Sequence, residues 1–104
     1  MIQSIGPEQA RELIAQGTFD VVDVREPGEW SSGHLPGSRL VPLGQLRARP
    51  QDALPRDGIL FVCAAGIRSQ TAAKVAEAEG RTNLYNLSGG TRGWANAGLP
   101  LVRD

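Results

Sequence analysis

Short apolar runs alternate with segments of helical spacing along the whole chain, and this alternation limits the fold more than any other feature. The run Ile59–Val62 is apolar at every position, which is typical of a central parallel strand covered on both faces. Further strands are expected at 2–4, 19–24, 40–41 and 84–87. The pattern predicts an α/β fold with a mostly parallel central sheet and helices on both faces.

Proline, glycine and serine mark the expected ends of the helices. Pro7 stands at the first position of a helix that ends at Gly17, which suits the preferences of both residue types. Ser69 is predicted to be the N-cap of a longer helix that runs through Glu79 and ends at Gly80. Three shorter helices are expected at 29–31, at 43–48 before Pro50, and around Trp94. The chain of 104 residues is expected to form one domain over 1–104.

Charge and cysteine content exclude several classes of function. Eleven Lys and Arg residues balance eleven Asp and Glu residues, so no net field favours nucleic acid or a membrane surface. Cys63 is the only cysteine. An internal disulfide is therefore impossible, and neither a cysteine-based metal site nor a cofactor is expected.

The sequence predicts a cytoplasmic protein. The first ten residues lack the basic start and apolar run of a signal peptide. No apolar run approaches the roughly 18–20 residues that span a bilayer. A lone functional thiol survives most simply in a reducing compartment, which is the cytoplasm.

The segment that follows the central strand is the candidate site. The strand delivers Cys63 to the carboxyl edge of the sheet, where ligands bind in this fold class. The small residues at 64–66 let backbone N–H groups point inward as a nest. The next helix adds the positive end of its dipole, and Arg68 adds a charged fork that fits an oxyanion.

These surroundings favour a thiolate at Cys63, because helix N-termini and nearby cations lower the pKa of cysteine. They also place an anionic substrate beside the nucleophile. A free cysteine at a strand end is alternatively a small buried hydrophobe, and the cysteine alone leaves both interpretations open. The small-residue loop, Arg68 and Ser69 favour the nucleophile.

Three segments, in this order, resemble the rhodanese-homology domains, which are thiosulfate sulfurtransferases. They are Asp23–Trp30 with Gly33–Ser38, the loop Cys63–Ser69, and Gly89-Gly90 with Trp94 and 98–100. The resemblance covers essentially the whole chain and implies a single rhodanese-like domain. It implies that Cys63 is the nucleophile and becomes a persulfide. It also implies a set of substrate-binding residues, namely Ala64, Ala65, Gly66, Ile67, Arg68 and Ser69.

The family reaction is a double displacement without a metal. The thiolate takes the sulfane sulfur of thiosulfate, releases sulfite, and passes the sulfur to cyanide or a thiol acceptor. Four residues separate Cys63 from Arg68, as in the sulfurtransferase branch. Cysteine phosphatases have five there, and the phosphatase-like and arsenate-reducing relatives share that larger loop, so the resemblance weighs against both activities.

Two other functions stay open on the same residues. One is a persulfide carrier that relays sulfur between partner proteins, which needs the same loop. The other is an inactive binding module, which usually has its cysteine replaced; because Cys63 is present, this alternative ranks last.

Residues outside the loop have less specific interpretations. His34, the only histidine, is a candidate general base, but its turn setting favours a structural hydrogen bond. Asp23 and Arg25 stand at the ligand end of a strand and either tune the site electrostatically or form an ion pair that anchors a loop. Trp30 and Trp94 are expected to pack in the core or against loops rather than to line the pocket. Arg92 is expected to be a solvated surface residue.

Overall fold

The computed structural model describes residues 1–103, which are built around a parallel sheet of five strands. The strands are β1 (Ile2–Ile5), β2 (Asp20–Asp23), β3 (Arg39–Leu40), β4 (Ile59–Val62) and β5 (Leu84–Leu87). Their order across the sheet is β1-β5-β4-β2-β3. The middle strand β4 pairs with β2 on one side and β5 on the other, which explains why all four of its residues are apolar and buried. The predicted parallel α/β fold is confirmed.

Residues 1–103 contain six helices; five lie between the strands and the sixth follows β5. They are α1 (Pro7–Gln16), α2 (Pro27–Ser31), α3 (Leu43–Ala48), α4 (Pro50–Ala53), α5 (Arg68–Ala78) and α6 (Gly90–Asn96). The sequence did not predict α4, because Pro50 was interpreted only as the end of α3. A proline at the first helical position leaves no hydrogen bond unmade, so Pro50 begins a new turn of helix instead. None of the helices in the described part of the chain is long and apolar enough to cross a membrane.

The predicted N-cap of α5 is wrong. The helix begins at Arg68, and Ile67 is its N-cap residue. Ser69 therefore lies inside the first turn, where it is fully buried. Its hydroxyl group faces Cys63 and Asn86. A serine that the sequence assigns to helix capping thus belongs to the surroundings of the thiol.

Helices cover both faces of the sheet, and the side chains of β4 alternate between the two layers. Ile59 and Phe61 pack into one core cluster, while Leu60 and Val62 pack into the other. On the first face α5 lies against the sheet through small buried residues, Ala72, Ala73 and Ala76. On the second face the cluster includes Ala10 of α1 and Trp94 of α6. Because the sheet is parallel, the chain leaves β2, β4 and β5 at one common edge, and Cys63 lies there.

Candidate active site

Cys63 follows β4 directly, and its side chain is almost completely buried, with 1% of the residue exposed. The backbone N–H of Gly66 donates a hydrogen bond to its Sγ at 3.0 Å. The hydroxyl of Ser69 lies 3.3 Å from the same sulfur. The loop therefore curls around the sulfur atom, so the structure brings Cys63, Gly66 and Ser69 together as the sequence predicts.

Burial and the polar contacts of the sulfur shift the pKa of Cys63 in opposite directions. Burial is the largest influence on the pKa of Cys63 and raises it, because a charge is less stable away from water. Hydrogen bonds from the Ser69 hydroxyl and from the backbone of Ser69, Ala65 and Gly66 act in the opposite direction. Together they outweigh burial, and the pKa of Cys63 is lowered. The site thus favours a nucleophilic thiolate.

A chain of hydrogen bonds leads from the thiol into the sheet. The Ser69 hydroxyl donates to Oδ1 of Asn86 at 2.5 Å. Asn86 lies on β5 and is 1% exposed. Its Nδ2 group donates to Oγ of Ser4 on β1 at 3.3 Å. Sequence reasoning missed Asn86; the signal was an amide inside the otherwise hydrophobic strand 84–87, where a buried polar group needs a partner.

Arg68 begins α5, and its guanidinium is paired with a carboxylate from a distant helix. Nη1 donates to Oε1 of Glu29 at 2.7 Å, and Nη2 donates to Oε2 at 2.8 Å. The hydrogen bond with Arg68 is the largest cause that lowers the pKa of Glu29, to about 2. The same bond raises the pKa of Arg68, and the nearby charge of Cys63 raises it further. Arg68 is thus close to the nucleophile, but Glu29, which the sequence did not single out, occupies its fork.

The first residues of α6 form backbone hydrogen bonds with the start of the loop that follows β4. The backbone N–H of Thr91 donates to the carbonyl of Cys63 at 2.8 Å, and that of Arg92 donates to the carbonyl of Ala64 at 3.1 Å. Gly90 lies next to Thr91 with φ +59°, and a Cβ atom there would come within 2.2 Å of the Cys63 carbonyl oxygen. Gly90 is therefore required for the close approach of two backbones, whereas Gly89 has a positive φ of +79° but no such contact with the loop. The side chain of Arg92 is exposed, and its backbone makes the contact.

Asp23 and Arg25 form a buried ion pair at the end of β2. Nη2 of Arg25 donates to Oδ2 of Asp23 at 2.8 Å, and their side chains are 6% and 0% exposed, Arg25 first. Arg25 also donates to the carbonyls of Glu29 at 3.2 Å and Gly33 at 2.7 Å. The pair thus anchors the turn-rich segment that contains α2, which is one of the two roles that the sequence left open.

The aromatic candidates and His34 make packing contacts. His34 is buried, its ring stacks on Trp30 with centroids 3.5 Å apart, and its Nδ1 lies 3.0 Å from the Trp30 carbonyl oxygen. Trp94 is buried in the core, and its Nε1 donates to the carbonyl of Pro100 at 2.7 Å. Residues 1–103 contain no group of His, Cys, Asp and Glu side chains that could hold a metal ion.

Comparisons with known proteins identify the family and agree with the fold. A family model described as Rhodanese-like domain matches residues 6–97. The thiosulfate sulfurtransferase GlpE of Pseudomonas paraeruginosa is 36% identical over 96 residues, which cover 88% of this chain and 83% of that protein. A rhodanese-related protein of Thermoplasma volcanium has a crystal structure with a TM-score of 0.87 and 32% identity, and the match covers 98% of this chain and 99% of that one.

Two Bacillus subtilis relatives are longer than the matched region. The putative sulfur carrier protein YrkF is 32% identical over 84 residues, which cover 81% of this chain and 45% of that protein. The uncharacterized protein YqhL is 38% identical over 74 residues, which cover 71% of this chain and 59% of that protein. The chain therefore spans about half the length of these two relatives.

Proposed function

The chain belongs to the rhodanese-like domain family, and from that membership we propose that it is a sulfurtransferase with Cys63 as its nucleophile. In this proposal residues 1–104 act as one rhodanese-like domain. The relatives named sulfurtransferase and sulfur carrier support sulfur transfer in general. The observation that carries the assignment to Cys63 is its buried sulfur, which accepts a hydrogen bond from Gly66 and lies beside the Ser69 hydroxyl.

The proposed donor is thiosulfate or a related sulfane compound. The thiolate of Cys63 attacks the outer sulfur of thiosulfate, the S–S bond breaks, and sulfite leaves with the electron pair. The outer sulfur stays on Cys63 as a persulfide anion, so the charge is the same before and after the step. A thiolate or cyanide then attacks this sulfur and returns Cys63 to the thiolate. Backbone N–H groups of the loop Ala64–Ser69 stabilise the negative sulfur in each state.

The second candidate is a persulfide carrier, and the similarity to the putative sulfur carrier YrkF favours it. A carrier receives its sulfur from a protein donor and hands it to a protein acceptor, so it needs the same thiolate and the same loop. The two functions differ only in the partners of Cys63. The identity of the donor that transfers sulfur to Cys63 therefore distinguishes the two functions.

Intact mass spectrometry tests both candidates. After incubation with thiosulfate, the protein should gain one sulfur atom, the C63S variant should gain none, and cyanide should remove the sulfur again. If thiosulfate leaves the mass unchanged but a persulfidated donor protein loads Cys63, the carrier function is supported instead. The sulfur-transfer proposal fails if neither donor places sulfur on Cys63. Hydrolysis of an aryl phosphate that depends on Cys63 would contradict the preference for sulfur over phosphate.

A further inference from the structure

Glu29 holds the guanidinium of Arg68 at the edge of the loop where an anionic donor is expected to bind. The two side chains form a bidentate pair with N–O distances of 2.7 and 2.8 Å. We propose that Glu29 is a specificity-determining residue that competes with oxyanion donors for Arg68 and thereby favours sulfur donors without an oxyanion. This inference rests on the sulfur-transfer function proposed above.

Glu29 is held in place by its own helix, so the pair is more than a contact between two mobile side chains. Its Oε1 accepts a hydrogen bond from the backbone N–H of Glu26 at 3.0 Å, as part of a capping box at the start of α2. Its carbonyl accepts a hydrogen bond from the buried Arg25. A carboxylate fixed in this way loses little further entropy when it pairs, and that loss is what usually weakens an ion pair near the surface.

The pair also changes the charge that a donor meets. Because the pKa of Glu29 is about 2, its carboxylate stays ionised wherever the Cys63 thiolate reacts. Arg68 is then neutralised by a charge-assisted bidentate partner. Glu29 occupies two of the five N–H donors of the guanidinium and balances its charge, so Arg68 holds the thiosulfate dianion less strongly than an unpaired guanidinium would. Because 36% and 35% of the two side chains are exposed, the pair is accessible to a small anion that competes for Arg68.

An organic persulfide, R–S–SH, meets no such competition. The thiolate of Cys63 attacks its outer sulfur, the S–S bond breaks, and RS⁻ leaves with the electron pair. The outer sulfur and its proton remain on Cys63, so one negative charge is present on each side of the step. This donor needs the backbone N–H groups of the loop but no guanidinium. The side chain of Ile67, 72% exposed beside Arg68, offers an apolar contact for the organic group.

The variant E29Q tests the proposal, because glutamine keeps the Oε1 acceptor for the Glu26 N–H but removes the negative charge. We expect the KM for thiosulfate to fall by up to about fivefold, the upper range of a partly exposed ion pair, with kcat little changed. The KM for a small alkyl persulfide should stay the same. E12Q removes the same charge from Glu12, an exposed residue of α1 outside the contacts described above, and should change neither KM.

Several results would overturn the inference. A KM for thiosulfate that is unchanged or higher in E29Q would show that Glu29 does not compete for Arg68. An equal change for both donors, or the same change in E12Q, would indicate a general charge effect. The Kd for thiosulfate, measured by calorimetry in C63S and in C63S/E29Q, gives a reading without turnover. Tighter binding in the double variant supports the competition even if the wild type takes sulfur from neither donor, a result that refutes only the proposed function.

Discussion

At the residue scale, the hydroxyl of Ser69 contacts two polar atoms but has only one proton to donate. It donates to Oδ1 of Asn86 and lies 3.3 Å from the sulfur of Cys63. When Cys63 is a thiol, its S–H group can donate to Ser69 while Ser69 donates to Asn86. When Cys63 is a thiolate, the proton of Ser69 stabilises the charge only by turning toward the sulfur. The same hydroxyl therefore links the charge on Cys63 to the hydrogen bonds of the sheet.

We predict that S69A raises the pKa of Cys63, because a hydrogen bond that favours the thiolate is lost while the burial that opposes it remains. The measurement is the rate of alkylation by iodoacetamide as a function of pH, since only the thiolate reacts. The midpoint should move to higher pH, and the rate at neutral pH should fall several-fold.

S4A provides the control for this experiment. Ser4 lies at the other end of the hydrogen-bond chain and does not contact the sulfur directly, so its loss should move the midpoint less. An unchanged midpoint in S69A would show that the backbone N–H groups of the loop determine the pKa of Cys63 alone.

At the scale of single elements, the structure explains which predictions from the sequence hold. The run Ile59–Val62 identifies the central strand, because only a strand covered on both faces is apolar throughout. Ser69 is the instructive error. A serine near the start of a helix suits capping, but the helix already begins at Arg68, and the hydroxyl turns inward toward the thiol. Local sequence preferences predict the start of a helix to within one or two residues. An error of one residue is enough to change the direction in which a side chain such as that of Ser69 points.

Contacts between elements that are distant in the chain could not be predicted from the sequence. Glu29 and Arg68 are 39 positions apart, and no spacing rule relates a residue of α2 to the first residue of α5. The glycine pair at the start of α6 was recognised only by resemblance. For Gly90 the structure supplies the physical reason, which is the approach of α6 to the carbonyl of Cys63; Gly89 has a positive φ of +79°.

That approach leads to a prediction for G90A. A Cβ atom would lie 2.2 Å from the Cys63 carbonyl oxygen, so the loop or α6 must move. We expect a loss of more than about 3 kcal/mol in the free energy of unfolding, together with weaker sulfur loading of Cys63. The measurements are urea denaturation and intact mass after treatment with thiosulfate.

G98A is the matched control for this loss. Gly98 also has a positive φ, +82°, but a Cβ atom added there would have no neighbour within 4 Å. Its substitution therefore costs only the backbone strain, about 1 kcal/mol. Equal losses in G90A and G98A would show that the close approach to the loop contributes nothing beyond strain.

At the scale of the whole molecule, two Arg–Asp pairs fix the two ends of β2 to different parts of the chain. At its start, Asp20 pairs with Arg39 of β3, which also donates to the carbonyl of Ala53 in α4. At its end, Asp23 pairs with Arg25, which holds the carbonyls around α2. The second pair supports the segment that positions Glu29 against the active-site loop, so the stability of the fold and the geometry of the site depend on the same contacts.

The two pairs should contribute differently to the free energy of unfolding, because one is more deeply buried than the other. The side chains of Arg25 and Asp23 are 6% and 0% exposed, whereas those of Arg39 and Asp20 are 42% and 12% exposed. Removing one partner of a buried pair strands a charge away from water and costs about 3–5 kcal/mol. A pair near the surface contributes about 1 kcal/mol or less. In urea denaturation, R25A should therefore lose several times more free energy of unfolding than R39A.

R25K distinguishes the charge of Arg25 from its shape. Lysine keeps the positive charge opposite Asp23 but cannot reach the carboxylate and both carbonyls at once, since it lacks the guanidinium fork. Its loss of stability should lie between those of the wild type and R25A. If R25A and R39A lose equal stability, burial does not decide the worth of these pairs, and the segment around α2 is held by its packing contacts, such as the stacking of His34 on Trp30.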